Sequence, residues 1–254
     1  SALQCSMVGD PPPVRNIEVR RTETAPVIDG VEDAIWADSD TIFITKNFTG
    51  ENPTVDAFWK AMWADSGLFV LLNVQDDNHY PSWEGGGEVW NFDGAEVYFD
   101  VNEDLHDGLG AMHNQGHYQS QPAFADGLYG VKLTGETNNI GNLWGGWYAH
   151  QLTGESWVRE FFFPFDAFVN KDGLTLDRWE FLSMDEIGFD VSIIDQDEGI
   201  TDRRHRKVWQ NDGLTDESWN NMDDAGTITL VGGYALEKDS LALVAFYNAT
   251  NGDG

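Results

Sequence analysis

Trp90 and Trp219 are large aromatic rings in runs that are otherwise polar and turn-forming. The first opens W-N-F-D-G-A-E-V-Y-F-D, ending at Asp100; the second lies in S-W-N-N-M-D-D-A-G-T-I-T-L, ending at Leu230. A flat ring in a wet setting suits a pyranose, which presents a patch of C–H bonds beside its hydroxyls. The ring covers the patch while neighbouring polar groups bond the hydroxyls. Glu96, inside the first run, supplies a carboxylate that can accept from two hydroxyls. The competing reading is that both rings are half-buried packing residues.

A second chemistry is suggested by Asp100-Val-Asn102-Glu-Asp104-Leu-His106-Asp107-Gly108, which sets oxygen donors at alternate positions before a turn glycine. Such spacing suits calcium, a hard cation that takes several carboxylate and carbonyl oxygens. Asp100, Asn102 and Asp104 are the candidate ligands for a structural Ca2+, with oxygen donors alone expected. The run Asp195-Gln-Asp197-Glu198-Gly199 is a second candidate, and a merely solvated acidic loop is the bland alternative. His113 and His117 share a parity, but the glycine between them argues against a helical metal pair, and surface histidines are expected there. No serine-elbow, zinc-protease or phosphate-loop motif occurs. Acid pairs such as Glu84 and Glu88 are plentiful by chance among 44 Asp and Glu residues, so no catalytic set is assigned and the chain is read as a non-enzyme.

Charge narrows the partners. Fourteen basic residues against 44 acidic ones give a formal charge of −30. That surface repels phosphate backbones and anionic lipid, so nucleic acid is excluded as a partner. No apolar run reaches the ~18 residues of a membrane span, so no membrane insertion is expected. Cys5 is the single cysteine, which rules out an internal disulfide. Ala2-Leu3-Gln4-Cys5 loosely matches a lipoprotein processing site.

The elements that must carry these residues read as short strands separated by Gly, Asn and Asp clusters, as in an all-β antiparallel sandwich of the jelly-roll or immunoglobulin-like kind. Ile17–Arg21, Leu68–Gln75, Glu96–Val101, Ser156–Phe163 and Gly188–Asp195 are the strand candidates. Along Glu96–Val101 strict alternation turns Val97, Phe99 and Val101 one way and Glu96, Tyr98 and Asp100 the other. Helical signals are brief: Glu32–Asp38 and Phe165–Val169. Residues 1–15, with three consecutive prolines, read as a linker; residues 16–231 form the body; residues 232–254 are a linker and the start of a following domain.

Six separated runs now agree in order and spacing: A-P-V-I-D-G-V-E-D-A-I-W (25–36), L-F-V-L-L-N-V-Q-D-D (68–77), the Trp90 run, V-R-E-F-F-F-P-F (158–165), I-G-F-D-V-S-I-I-D (187–195) and the Trp219 run. Over residues 16–231 the chain resembles the family 9 carbohydrate-binding modules. The resemblance implies a β-sandwich, structural calcium, and sugar binding, often at chain ends, by modules joined to secreted polysaccharide-degrading enzymes. It implies that Trp90 and Trp219 clasp the sugar and that Glu96 bonds it. The family's arginine in the strand matching His117-Tyr118-Gln119 is missing here, which leaves Tyr118 and Gln119 as the polar candidates on that strand. Ser192 stands where the family has a glutamine. Arg203 matches a further family arginine, with Arg204 and Arg206 close by. Residues 239–254 resemble the capping segment that opens a leucine-rich-repeat region in bacterial surface proteins.

The expectation is therefore a non-catalytic module that binds a mono-, oligo- or polysaccharide within an extracellular, multidomain parent chain. Two alternatives stay open: a calcium-stabilised structural or adhesion domain that has lost the sugar site, and a glycan-active enzyme domain.

Overall fold

The computed structural model describes residues 15–80, 88–102, 104–122, 131–132, 146–197, 205–211 and 218–233. Residues 239–254, and with them the expected repeat opening, lie outside the described residues, as does most of the expected 1–15 linker. Thirteen strands are present among the described residues. They are β1 (Asn16–Arg21), β2 (Ile42–Ile44), β3 (Lys46–Asn47), β4 (Asp56–Ala64), β5 (Gly67–Gln75), β6 (Gly94–Asp100), β7 (His117–Ser120), β8 (Val131–Lys132), β9 (Trp147–Thr153), β10 (Ser156–Pro164), β11 (Ile187–Asp195), β12 (His205–Val208) and β13 (Gly226–Val231). One layer is built from β4, β5, β10 and β9 in antiparallel register. The other is centred on β11, with β6 and then β7 along one edge and β12 and β13 along the other. The mostly-β sandwich is as expected, with one departure from an all-antiparallel arrangement: β1 runs parallel to both β13 and β4, joining the two layers.

Alternation explains why the layers stack. Val97 and Phe99 of β6 and Phe189, Val191 and Ile193 of β11 point inward. They meet Trp59, Trp63, Val70, Leu72, Phe161 and Phe163 of the opposite layer in one apolar core. Phe99 packs edge-on to both Phe163 and Phe189, with centroids 5.0 and 5.3 Å apart, the geometry that ring quadrupoles favour. The outer face of β4, β5 and β10 is apolar too. Met62, Phe69 and Leu71 pack there with Trp36, delivered by the turn at Ala34–Asp38. Glu160 of β10 latches that covering segment by accepting hydrogen bonds from the Asp29 and Gly30 N–H groups and from Trp36 Nε1. Gly30 is required by contact: a Cβ there would lie 2.5 Å from the His150 carbonyl carbon. With both faces covered, β5 reads as a continuous apolar run instead of an alternating one.

The two expected helical segments shrink to single 3-10 turns at Ala34–Asp38 and Phe165–Ala167. The α-helix described, α1, is Arg178–Ser183 and begins on a reciprocal cap: Asp177 accepts from the Trp179 and Glu180 N–H groups while Glu180 accepts from the Asp177 N–H.

Candidate functional site

The outer face of the β6–β11 layer is unlike the other three faces: its side chains are polar, yet shielded. Cross-strand register sets Glu96 beside Ser192, Tyr98 between Asp190 and Gln119, and Asp100 beside His117. All seven are buried. At one end of this face lies a small cleft lined by Glu96, Tyr98, Asp190, Ser192, Arg206 and Ser218, among others.

Most polar walls of the cleft are held by their neighbours. Tyr98 Oη donates to Glu96 Oε2 at 2.8 Å and Gln119 Nε2 donates to Glu96 Oε1 at 3.1 Å. Glu96 therefore has both oxygens oriented. Gln119, a neutral donor, stands on the strand where the family resemblance implies an arginine. Asp190 accepts from the backbone N–H groups of Val191, Gln210 and Asn211. Burial pushes its carboxyl up to about 6, against the downward pull of those bonds. Arg206 makes three contacts of 2.7–3.3 Å from Nε and Nη2 to Glu51, in a pair whose side chains are 3% and 1% exposed. Its guanidinium carbon lies 3.8 Å from the Phe48 ring centroid, so the arginine is clamped between a carboxylate and an aromatic face. Ser192 Oγ is buried and has no hydrogen-bond partner. A buried hydroxyl left unpaired in a cleft wall costs free energy that an incoming polar group would recover.

Of the residues singled out from the sequence, Glu96 and Ser192 line the cleft and Gln119 bonds Glu96 directly. Trp219 is half-buried against the main core, next to Ser218 of the cleft wall. The turn carrying it is tied down: the Met112 N–H donates to the Trp219 carbonyl, and Asn211 Nδ2 donates to Ser218 Oγ. Trp90 is half-buried in the 3-10 turn Val89–Asn91 that leads into β6. Tyr118 does not join the group. It faces the core against Phe168, and its hydroxyl both donates to the Val169 carbonyl and accepts from the Val169 N–H. The pleat is the reason, since neighbours on a strand point to opposite faces. Arg203 lies outside the described residues; on the observed strand it is Arg206 that reaches the cleft. Asp190, Asn211, Ser218 and Phe48 were missed. They come from segments far apart in the chain, and no local motif links them.

Two groups of acids could hold a cation. In the first, Asp100 and Asn102 are brought together with Asp107 and His117. Asn102 Nδ2 donates to Asp107 at 2.8 Å, and the two His117 ring nitrogens lie 3.6 Å from Asp100 and Asp107 oxygens. Burial, joined by the charges of Asp107, Asp104 and Asp223, pushes the Asp100 carboxyl up to about 7. Asp104 is exposed and joins through its backbone N–H, which donates to Asn102 Oδ1 at 2.8 Å. His117, expected at the surface, is instead fully buried, because its strand is covered on both sides. In the second group, Asp76, His79 and Asp93 offer ligand atoms all within 4.8 Å of one another. The expectation of oxygen donors alone does not describe this group.

Comparison with known proteins follows the same lines. Residues 28–233 match the family model described as carbohydrate family 9 binding domain-like. The family 9 carbohydrate-binding module from Caldicellulosiruptor kristjanssonii in complex with cellotriose is 19% identical, with a TM-score of 0.62 over 87% of this chain and 95% of that one. The module from the same organism in complex with glucose is 20% identical, with a TM-score of 0.61 over 87% and 97%. No protein of curated function matches the chain.

Proposed function

The chain belongs to the carbohydrate family 9 binding domain-like family, a non-catalytic family, and on that premise we propose that the cleft beside Trp219 binds a sugar of the glucose and cello-oligosaccharide class. The observation that carries this reading is the unpaired Ser192 hydroxyl, buried in a cleft whose other walls are an oriented carboxylate, an arginine and an asparagine. Similar structures hold glucose and cellotriose, ligands whose alternating hydroxyl edges and C–H faces call for that mixture of groups. Trp90 and Trp219 clasp the ring, Glu96 accepts its hydroxyls with Gln119 holding the carboxylate in place, and Ser192 and Arg206 complete the polar edge. Arg203 is a further candidate contact from the same stretch of chain. The module serves to bring a larger, extracellular parent chain to glycans, as the resemblance to modules joined to secreted polysaccharide-degrading enzymes implies.

Calorimetric titration of the chain with glucose and cellotriose tests this. Glu96→Gln retains the shape and one acceptor oxygen but loses the charge-assisted bonds, worth about 1.5–3 kcal/mol. Affinity should fall by at least about 10-fold while the melting temperature moves by no more than a few degrees. No heat with any of a panel of glycans, from a folded chain, would instead favour the structural or adhesion reading.

Calcium is proposed for the group at Asp100, held by Asp100 and Asp107, with Asn102 and Asp104 from the same loop. Its support is the mutual repulsion of Asp100, Asp104, Asp107 and Asp223 around one buried carboxyl, which a hard cation offsets. The ion would act on the fold and not on the sugar. Chelation should lower the melting temperature by roughly 5–10 °C if the ion is present at about 100 times its dissociation constant. Calcium should restore it better than magnesium, whose shell demands a tighter octahedron. A melting curve indifferent to chelator removes this proposal.

A further inference from the structure

The second acidic group stands at the foot of the turn that presents Trp90. We propose that Asp76, His79 and Asp93, with Asp195, form a site for a borderline divalent transition metal of the zinc class. The ion would join the ends of β5 and β11 to the start of β6.

The donor set distinguishes this site from the calcium group. His79 Nδ1 lies 3.0 Å from Asp93 Oδ2, and the imidazole is inside the ring of ligand atoms, not beside it. Imidazole with carboxylates suits zinc and its neighbours, whereas calcium asks for six to eight oxygens. A tetrahedral ion with ligands about 2.0–2.2 Å away sets them about 3.3–3.6 Å apart, which fits donors all within 4.8 Å of one another.

The carboxylates are oriented as ligands are by an outer shell. Asp93 Oδ1 accepts from the Gln196 N–H at 2.7 Å and Oδ2 from the Tyr80 N–H. Asp76 Oδ1 accepts from the Asn78 N–H at 3.1 Å, and its other oxygen is buried with no hydrogen-bond partner. Asp195 supplies an independent observation. It is 3% exposed, and Thr54 donates from both N–H and Oγ1 to its Oδ2. Its Oδ1 is buried with no hydrogen-bond partner. Burial, joined by the charge of Asp93, pushes the Asp195 carboxyl up, and burial, joined by the charges of Asp93 and Asp195, pushes that of Asp76 up to about 7. Three converging carboxylates, two of them with an unpaired buried oxygen, are costly unless a cation sits among them.

Titration of the metal-stripped chain with zinc chloride and, separately, calcium chloride reads the site directly. The wild-type chain should take up one zinc ion at this site at least about 100-fold more tightly than calcium. His79→Ala should weaken that event by at least about 100-fold, while His113→Ala, which removes an exposed histidine, leaves it intact. Cobalt in place of zinc should give visible absorption bands typical of a tetrahedral site, and His79→Ala should abolish them. If His79→Ala does not fold, Asp76→Asn gives the same comparison. Zinc binding unchanged in both variants, a site that prefers calcium, or the absence of any high-affinity event would overturn the assignment and leave a His–Asp contact. The titration contains no sugar, so its outcome is independent of whether the cleft binds one.

Discussion

Trp219→Ala is expected to abolish measurable binding of glucose and cellotriose while the fold survives. Truncating a central aromatic anchor costs about 2 kcal/mol or more, roughly 30-fold in affinity, and a module that recognises one sugar ring has little affinity to lose. The residue sits on a turn fixed by its own backbone and by Ser218, not by the indole alone: the Met112 N–H holds the Trp219 carbonyl, and Asn211 holds Ser218. The turn should therefore persist when the ring is removed. Trp90→Ala should act likewise from the other side of the proposed clasp. Calorimetric affinities unchanged in both variants would refute the two-ring clasp. A collapse in melting temperature in either would show that the ring is a packing residue.

Arg206→Ala should be the most destabilising single change in the cleft. It removes the partner of Glu51, whose side chain is 1% exposed, and leaves a buried carboxylate without its cation. Breaking such a pair costs about 3–5 kcal/mol, roughly 6–20 °C in melting temperature for a domain of this size. It also strips the face of Phe48 and opens the cleft wall. The double change Glu51→Met with Arg206→Met removes both charges and keeps the volume, so it should recover most of the lost stability without recovering sugar binding. A loss below about 1 kcal/mol for Arg206→Ala, measured by chemical denaturation, would mean that water reaches Glu51.

Where the period-two pattern is strong, the chain is legible without coordinates. Val97 and Phe99 face the core and Glu96 faces away as alternation requires, and the strands β1, β5, β6, β10 and β11 lie within a residue or two of their sequence signals. The same logic gives Phe165–Val169 a brief helical signal, and the structure has one 3-10 turn there, with Phe165 packed on Phe181. That logic passes over α1, whose only strong signal is the cap formed by Asp177 and Glu180. Six residues of helix are too few to show a period.

Residue identity and pleat alone determined that Val97 and Phe99 face the core while Glu96, Tyr98 and Asp100 face away. The tertiary structure alone decided what stands across from them. It directed the Gln119 amide to Glu96 and turned Tyr118 inward. It selected Arg206 among clustered arginines, because that residue alternates onto the cleft side of β12 and finds Glu51 from a loop far earlier in the chain. It also gathered Asp76, His79, Asp93 and Asp195 from three strand ends. Such contacts depend on register and on loop closure between distant segments, neither of which leaves a local mark in the sequence.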